Sequence, residues 1–198
     1  KLAARRVESR APCACRPAGG NRAGMRLVYP LSWSRPGHDA RREQPICTAA
    51  ALARRGFEVT LLMPRGRRDP AFAACDLRAF YEVDGDFRLL QRPTRWSGVD
   101  VPRSLMWLRQ VFHDPETLAG DILYSRIPAM LGAGHLSPIP YATEQYRLWP
   151  DQLPWVRPLF RRTNNDPNCL GLILHSQLAA DAWRRAGIDA ERLLVAHN

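Results

Sequence analysis

The chain has 198 residues and a formal net charge of +10, with 29 Lys and Arg against 19 Asp and Glu, enough length to bury the core of one domain. No apolar run approaches the roughly 20 residues that span a bilayer, and the charge leaves nucleic acid, an anionic membrane surface, an acidic substrate or an ordinary solvated surface open. Five cysteines, Cys13, Cys15, Cys47, Cys75 and Cys169, form no CxxC pair and predict buried free thiols in a reducing compartment, while His38, His113, His135, His175 and His197 lack ligand spacing, so neither a metal nor another cofactor is expected.

Residues 1–24 hold half of the net charge, with Lys1, Arg5, Arg6, Arg10, Arg16 and Arg22 against only Glu8. They show breakers and no apolar periodicity, which predicts a disordered or non-native extension with Met25 as the true first residue. A transit peptide would be Arg-rich and acid-poor in the same way, but would carry more Ser and an amphipathic face.

The stretch from Met25 to Pro64 organises the rest of the chain. An apolar run to Leu31, the polar loop Ser32–Asp39, an Ala-rich helix stopped by Gly56 and the run Val59–Met63 make a strand–loop–helix–strand unit. Its crossover forces the two strands parallel. A sheet begun this way is α/β: a Rossmann-like parallel sheet with helices on both faces, in a single domain, with its site at the strand C-terminal ends. Pro45 is expected at the first position of the helix, and Ile46, Ala49, Ala50 and Ala53 on the face toward the sheet. Ser34, Arg35, Gly37 and His38 in the loop are the first cleft candidates, or else a plain surface turn. Gly37 stands alone and is no GxGxxG fingerprint, which argues against nicotinamide or flavin.

Further along, a helical turn is predicted near Cys75–Tyr81, a third strand at Phe87–Leu90, and a helix over Val101–His113 with Leu105, Leu108, Val111 and Phe112 inward. Trp96 and Trp107 with Arg95, Arg103 and Arg109 read either as a basic–aromatic patch or as core packing beside a solvated face. Strands are predicted at Asp121–Arg126 and Pro138–Glu144. Their polar termini should converge in the crevice, which makes Arg126, Glu144, Tyr146 and Arg147 candidates, with Glu144 the carboxylate of choice. A broken helical run carries Trp149, Trp155, Phe160, Arg161 and Arg162, a combination that suits a bilayer interface. Leu170–Leu174 should be a strand covered on both faces. His175 and Ser176 end it, Ser176 caps the next helix, Gly187 stops that helix, and Leu193–Val195 is the last strand.

That final succession resembles the end of the N-terminal domain of a GT-B glycosyltransferase of the family 4 type: strand, His175-Ser176, a helix closing on Arg184-Arg185-Ala186-Gly187-Ile188, then Glu191–Val195 and His197-Asn198. Leu52–Thr60 is similar to the family's first helix and second strand. The resemblance covers Met25 to Asn198. It implies a retaining hexosyltransferase-like enzyme that moves a sugar from a nucleotide-sugar to a sugar or lipid-linked acceptor. This domain would hold the acceptor, and an absent second domain most of the donor, so the fragment alone would be inactive. By the same resemblance Arg126 and Glu144 take catalytic places, while Ser34, Arg35, Gly37, His38, Tyr146, Arg147, His175 and Ser176 face the acceptor or cleft.

Two departures matter. Arg35-Pro36-Gly37 stands where many members carry Gly-Gly, and Ser125-Arg126 where some carry a histidine. Arginine there is a fixed charge, not a proton carrier. A cytoplasmic protein that contacts an anionic membrane peripherally at the inner face of the plasma membrane is the expected setting, with no nucleic acid as partner. The rival reading is a non-catalytic Rossmann-like nucleotide- or nucleic-acid-binding module, whose nucleic-acid affinity would fall steeply with salt.

Overall fold

The computed structural model describes residues 24–96 and 100–196. The expectations for residues 1–23, for Cys13 and Cys15, and for His197-Asn198 lie outside them.

Seven strands form one sheet in the order β3-β2-β1-β4-β5-β6-β7, and every neighbouring pair is parallel. The strands are β1 (Arg26–Pro30), β2 (Glu58–Arg65), β3 (Arg88–Pro93), β4 (Ile122–Ser125), β5 (Tyr141–Gln145), β6 (Cys169–Leu174) and β7 (Leu193–Val195). The chain runs outward through β1, β2 and β3, then returns to start β4 on the other side of β1. A crevice must open between the ends of β1 and β4, because the connections leave in opposite directions there.

Among the described residues eight α-helices connect the strands: α1 (Ala40–Arg54), α2 (Ala74–Phe80), α3 (Val101–Phe112), α4 (Pro115–Leu118), α5 (Met130–Ala133), α6 (Trp149–Gln152), α7 (Arg157–Asn164) and α8 (Gln177–Arg185). They divide between the two faces as strand alternation requires. Leu27, Tyr29, Leu61 and Met63 pack with Ile46, Ala49 and Ala50 of α1 and Leu77 of α2. Val28, Leu62, Leu123, Leu172 and Leu174 pack with residues of α3, α5, α7 and α8. β2 is buried from Val59 to Pro64, as a strand covered on both sides must be.

Several boundaries differ from expectation for local reasons. α1 starts five residues earlier than Pro45, because the Asp39 carboxylate caps it by accepting from the Arg42 amide at 3.2 Å. Pro45 therefore lies inside the helix, where it deletes the bond its amide would have made to the Arg41 carbonyl. In α3 the inward face is Ser104, Trp107, Leu108, Val111 and Phe112, so Leu105 points outward and Trp107 replaces it. The Trp107 indole donates to the Leu31 carbonyl at 2.7 Å. The basic–aromatic patch is thus split: Trp107 belongs to the core, Trp96 is exposed, and Arg103 pairs with its helix cap Asp100.

The bilayer-facing reading of Trp149–Arg162 is similarly divided. Phe160 is buried against Trp183 and Trp149 is half-buried, which leaves Trp155 as the freely exposed ring at 79%. β6 is not covered throughout, since Leu170 falls at a register irregularity against β5 and is exposed. Of the thiols, Cys169 is buried but Cys47 is exposed on the outer side of α1, contrary to the expectation of buried thiols. No helix among the described residues is long and apolar enough to cross a membrane.

The two Gly stops behave alike. Gly56 (φ 93°) and Gly187 (φ 85°) adopt the left-handed conformation. In each case the next residue, Phe57 or Ile188, returns its amide to the carbonyl five back, Leu52 or Trp183, at 3.2 Å. This is the Schellman arrangement, with Ile188 delivered onto the core.

Candidate functional site

A cavity of about 960 Å³ opens at the C-terminal edge of the sheet, at the predicted crevice. Its wall comes from the end of β1 and the following loop (Tyr29 to Trp33), the first turns of α1, Ser104 of α3, the segment after β4 (Arg126 to Pro128), the end of β5 (Gln145 to Arg147), Trp149 and His175. That size is typical of a small-molecule site.

Register explains which side chains meet behind this wall. Ser125 of β4 lies opposite Thr143 of β5, and Glu144 lies opposite Ile173 of β6. One step on, Arg126 comes beside Glu144. Alternation puts Tyr124 and Arg126, Ala142 and Glu144, Ile173 and His175 all on the α1 side of the sheet.

The result is a cluster centred on one carboxylate. Glu144 Oε2 accepts from the Tyr124 hydroxyl at 2.5 Å, and Oε1 lies 2.7 Å from His175 Nε2 and 3.4 Å from Arg126 Nε. Arg126 then reaches Gln44 on α1, donating from Nη2 at 2.7 Å. Side-chain exposure is 8% for Glu144, 14% for Arg126 and 15% for His175. A buried carboxylate needs partners of this kind, and both oxygens of Glu144 are taken. Tyr124 and Tyr29 pack edge to face, with ring centroids 4.9 Å apart. Burial, followed by the Glu144 charge for Tyr29 and by Tyr29 and then Glu144 for Tyr124, pushes both phenols well above their ordinary value. Each remains a neutral hydroxyl able to donate.

The other candidates fall in two groups. Arg126, Tyr146, Arg147 and His175 line the cavity. The Arg147 guanidinium lies 5.7 Å from the Tyr146 ring and 5.3 Å from the Trp149 ring. Ser176 caps α8 by accepting from the Ala179 amide at 3.2 Å. Ser34, Arg35, Gly37 and His38 are absent from the wall and are engaged elsewhere. Arg35 binds Asp69 at 2.7 Å. The Tyr81 hydroxyl accepts from the Gly37 amide and donates to its carbonyl, both at 3.0 Å. His38 stacks on Phe80 with centroids 4.5 Å apart. Burial opposes ionisation of Asp69, but bonds from Ser34, Arg35 and the Gly66 amide hold its carboxyl below the usual range.

Sequence reasoning missed Gln44, Trp33, Tyr124 and Gln145. Gln145 directly follows Glu144 at a strand end, a signal that was available. The Gln44–Arg126 bond spans 82 positions and leaves no trace in the sequence. Among the described residues no group of three or more His, Cys, Asp or Glu could hold a metal ion.

Sheet order and cavity position together define a Rossmann-like domain of the kind found as one half of a GT-B fold. The sequence model of Glycosyltransferase Family 4 matches residues 47–198. The chain therefore belongs to that family. No curated protein matches it.

Among solved structures the fold is similar to that of Anabaena Alr3699/HepE in complex with UDP-glucose, at 16% identity and a TM-score of 0.52, over 88% of this chain and 44% of that one. The same protein in complex with UDP gives 16% identity, a TM-score of 0.50 and the same coverage. A putative UDP-N-acetylglucosamine 2-epimerase from Listeria monocytogenes is more distant, at 12% identity and a TM-score of 0.48, over 87% of this chain and 45% of that one. The chain thus spans less than half the length of these neighbours.

Proposed function

We propose that this chain is the acceptor-side domain of a retaining, hexosyltransferase-like glycosyltransferase that moves a sugar from a nucleotide-sugar to an acceptor. The observation that carries the reading is the convergence of three strand ends on Glu144 beneath one open cavity, in a chain of glycosyltransferase family 4. Most of the donor contact falls to a second domain, so this domain alone does not turn over. Anabaena HepE, whose structure holds UDP-glucose, makes UDP-sugars the donors to test first.

The roles follow from protonation and access. Arg126 is a permanent cation at the cavity wall, suited to charge on a phosphate or on a departing nucleotide and unable to carry a proton. Glu144 has no free oxygen and orients Arg126 and His175 from behind, so it is a positioning residue. In the enzyme with both domains, Arg126→Ala lowers kcat about 100-fold or more, the scale for one lost electrostatic contact, with nucleotide affinity nearly intact. Glu144→Gln lowers kcat with little change in KM, and Tyr124→Phe lowers it less. Unchanged turnover in both Arg126→Ala and Glu144→Gln removes this cluster from the reaction.

A peripheral contact with an anionic membrane, at the inner face of a cytoplasmic membrane, is part of the same proposal. It is supported by Trp155 and Leu159, exposed and close in sequence to Arg161 and Arg162. Cosedimentation with vesicles containing an anionic lipid tests it. Equal recovery with neutral vesicles rejects it.

A further inference from the structure

Among the described residues, four buried polar side-chain atoms of the cavity wall have no hydrogen-bond partner: the N–H groups Arg126 Nη1, Gln145 Nε2 and Trp33 Nε1, and the Tyr29 hydroxyl. Gln145 is 2% exposed and Trp33 7%. The orientation of the Gln145 amide is fixed by its neighbour. The Trp149 indole can only donate, and it does so to Gln145 Oε1 at 3.1 Å, which leaves the NH2 end over.

Buried donors without acceptors are unfavourable and rare. Four on one wall is a pattern rather than a lapse. The three N–H groups are donors only, and the Tyr29 hydroxyl, kept protonated by burial, can donate as well. A sugar hydroxyl both donates and accepts, so sugar hydroxyls alone would not select this composition. An acceptor-only group would.

Charge narrows the choice further. Arg41, Arg42, Arg126 and Arg147 line the cavity against one lining carboxylate, Asp39. Asp39 is taken by Arg42 at 3.2 Å, and Glu144, behind the wall, is shared by Arg126 and His175. Arg41 and Arg147 have no carboxylate within 4.0 Å among the described residues. Water would satisfy the donors but leave this positive excess unopposed. An oxyanion meets both demands.

We infer that the acceptor bound in this cavity carries a phosphate, held by Arg126, Gln145 and Trp33 with Arg147 at the rim. The inference rests on the acceptor-side reading and deepens it, since it names the chemical class of the acceptor. A tetrahedral phosphate presents several acceptor oxygens, and Arg126 supplies the fork geometry that suits it. A phospholipid headgroup and a soluble phosphorylated acceptor share this chemistry.

The test is direct titration of the chain with four probes, read by calorimetry and by the fluorescence of Trp33 and Trp149: inorganic phosphate, glycerol phosphate, a short-chain phosphatidic acid below its micelle concentration, and a neutral alkyl glucoside. The phosphate probes bind saturably and weaken with salt, and the glucoside binds weakly or not at all. Tighter binding of phosphatidic acid than of glycerol phosphate marks a lipid headgroup as the source; equal binding marks a soluble acceptor. Gln145→Glu keeps the acceptor for Trp149, nearly preserves shape and places a carboxylate where the amide stood. It weakens the phosphate probes by about tenfold or more, as does Arg126→Met, while Arg35→Met, outside the wall, leaves them unchanged. Circular dichroism confirms that each variant is folded.

Phosphate binding that survives both wall variants, or glucoside binding as tight as phosphate, overturns the inference. The two readings fail separately. Phosphate bound as described by an enzyme that transfers no sugar removes the glycosyltransferase proposal alone. Sugar transfer to a neutral acceptor with the same KM in Gln145→Glu removes only the phosphate on the acceptor.

Discussion

The loop after β1 and the ends of β4, β5 and β6 occupy the same edge of the same sheet, and both are rich in polar groups. Trp33, at the start of the loop, belongs to the cavity wall, but the side chains that follow it and those at the strand ends come to opposite situations. In the loop, Arg35, Gly37 and His38 are consumed by near neighbours outside the cavity: Asp69 after β2, and Phe80 and Tyr81 at the end of α2. At the strand ends, Arg126, Glu144 and His175 take partners from one another, across strands, while Arg126 Nη1 and Gln145 Nε2 are left unused at the wall. A strand-end position brings a residue near the crevice, but the bonds it has already made decide whether it is available to a ligand.

The largest effect comes from the hub of the strand-end cluster. Glu144→Ala strands the Arg126 charge and the Tyr124 hydroxyl in a buried site, where losing one partner of a buried ion pair costs about 3–5 kcal/mol. Urea denaturation should show that loss, and a difference below about 1 kcal/mol, the level of exposed pairs, would erase the contrast between the two regions. Trp107→Phe comes next. It keeps most of the packing but removes the donor to the Leu31 carbonyl, a cost of about 1–3 kcal/mol for a buried acceptor left unpaired. Because Leu31 leads into Trp33 at the wall, phosphate affinity should fall with stability, which ties the start of the loop to the cavity.

Much of the architecture is legible in the sequence because it depends on local and periodic signals. The β1–α1–β2 unit, the Gly56 and Gly187 stops and the Ser176 cap each rest on residues a few positions apart, and all three are present. Membership in glycosyltransferase family 4 is legible from the order of the terminal elements. The start of α1 is not, since Pro45 is a strong local signal and Asp39 is a stronger one in place. Nor is the inward face of α3, because Trp107 counts as surface-like until an acceptor is found for its indole, and that acceptor is 76 residues away. The same reason hides Gln44. For the loop residues the sequence shows types able to bind a ligand and says nothing of the partners already holding them.

A smaller effect tests the loop from its other anchor. Tyr81→Phe removes both bonds to Gly37 and should cost about 0.5–1.5 kcal/mol. If the two regions are as separate as their bonding implies, phosphate titration of the variant is unchanged. A weakening comparable to that of Gln145→Glu would mean that the Arg35–His38 part of the loop also reaches the ligand.

The smallest effect is the pH response of Asp69. Its folded pKa is depressed, with burial outweighed by the bonds from Ser34, Arg35 and the Gly66 amide. A depressed carboxyl contributes stability that is complete above its unfolded value, near pH 3.9, and is lost as the pH falls through the folded one. The stability difference between the parent and Asp69→Asn should therefore be flat from neutral pH down to about 5 and shrink below about 4. Arg35 is largely exposed, so solvent screening keeps the plateau within about 1 kcal/mol. Tyr124 and Tyr29, raised rather than lowered, add no change in that range. A difference that instead changed between pH 5 and 7 would place the titrating group elsewhere and detach Arg35 from the anchor that keeps it out of the cavity.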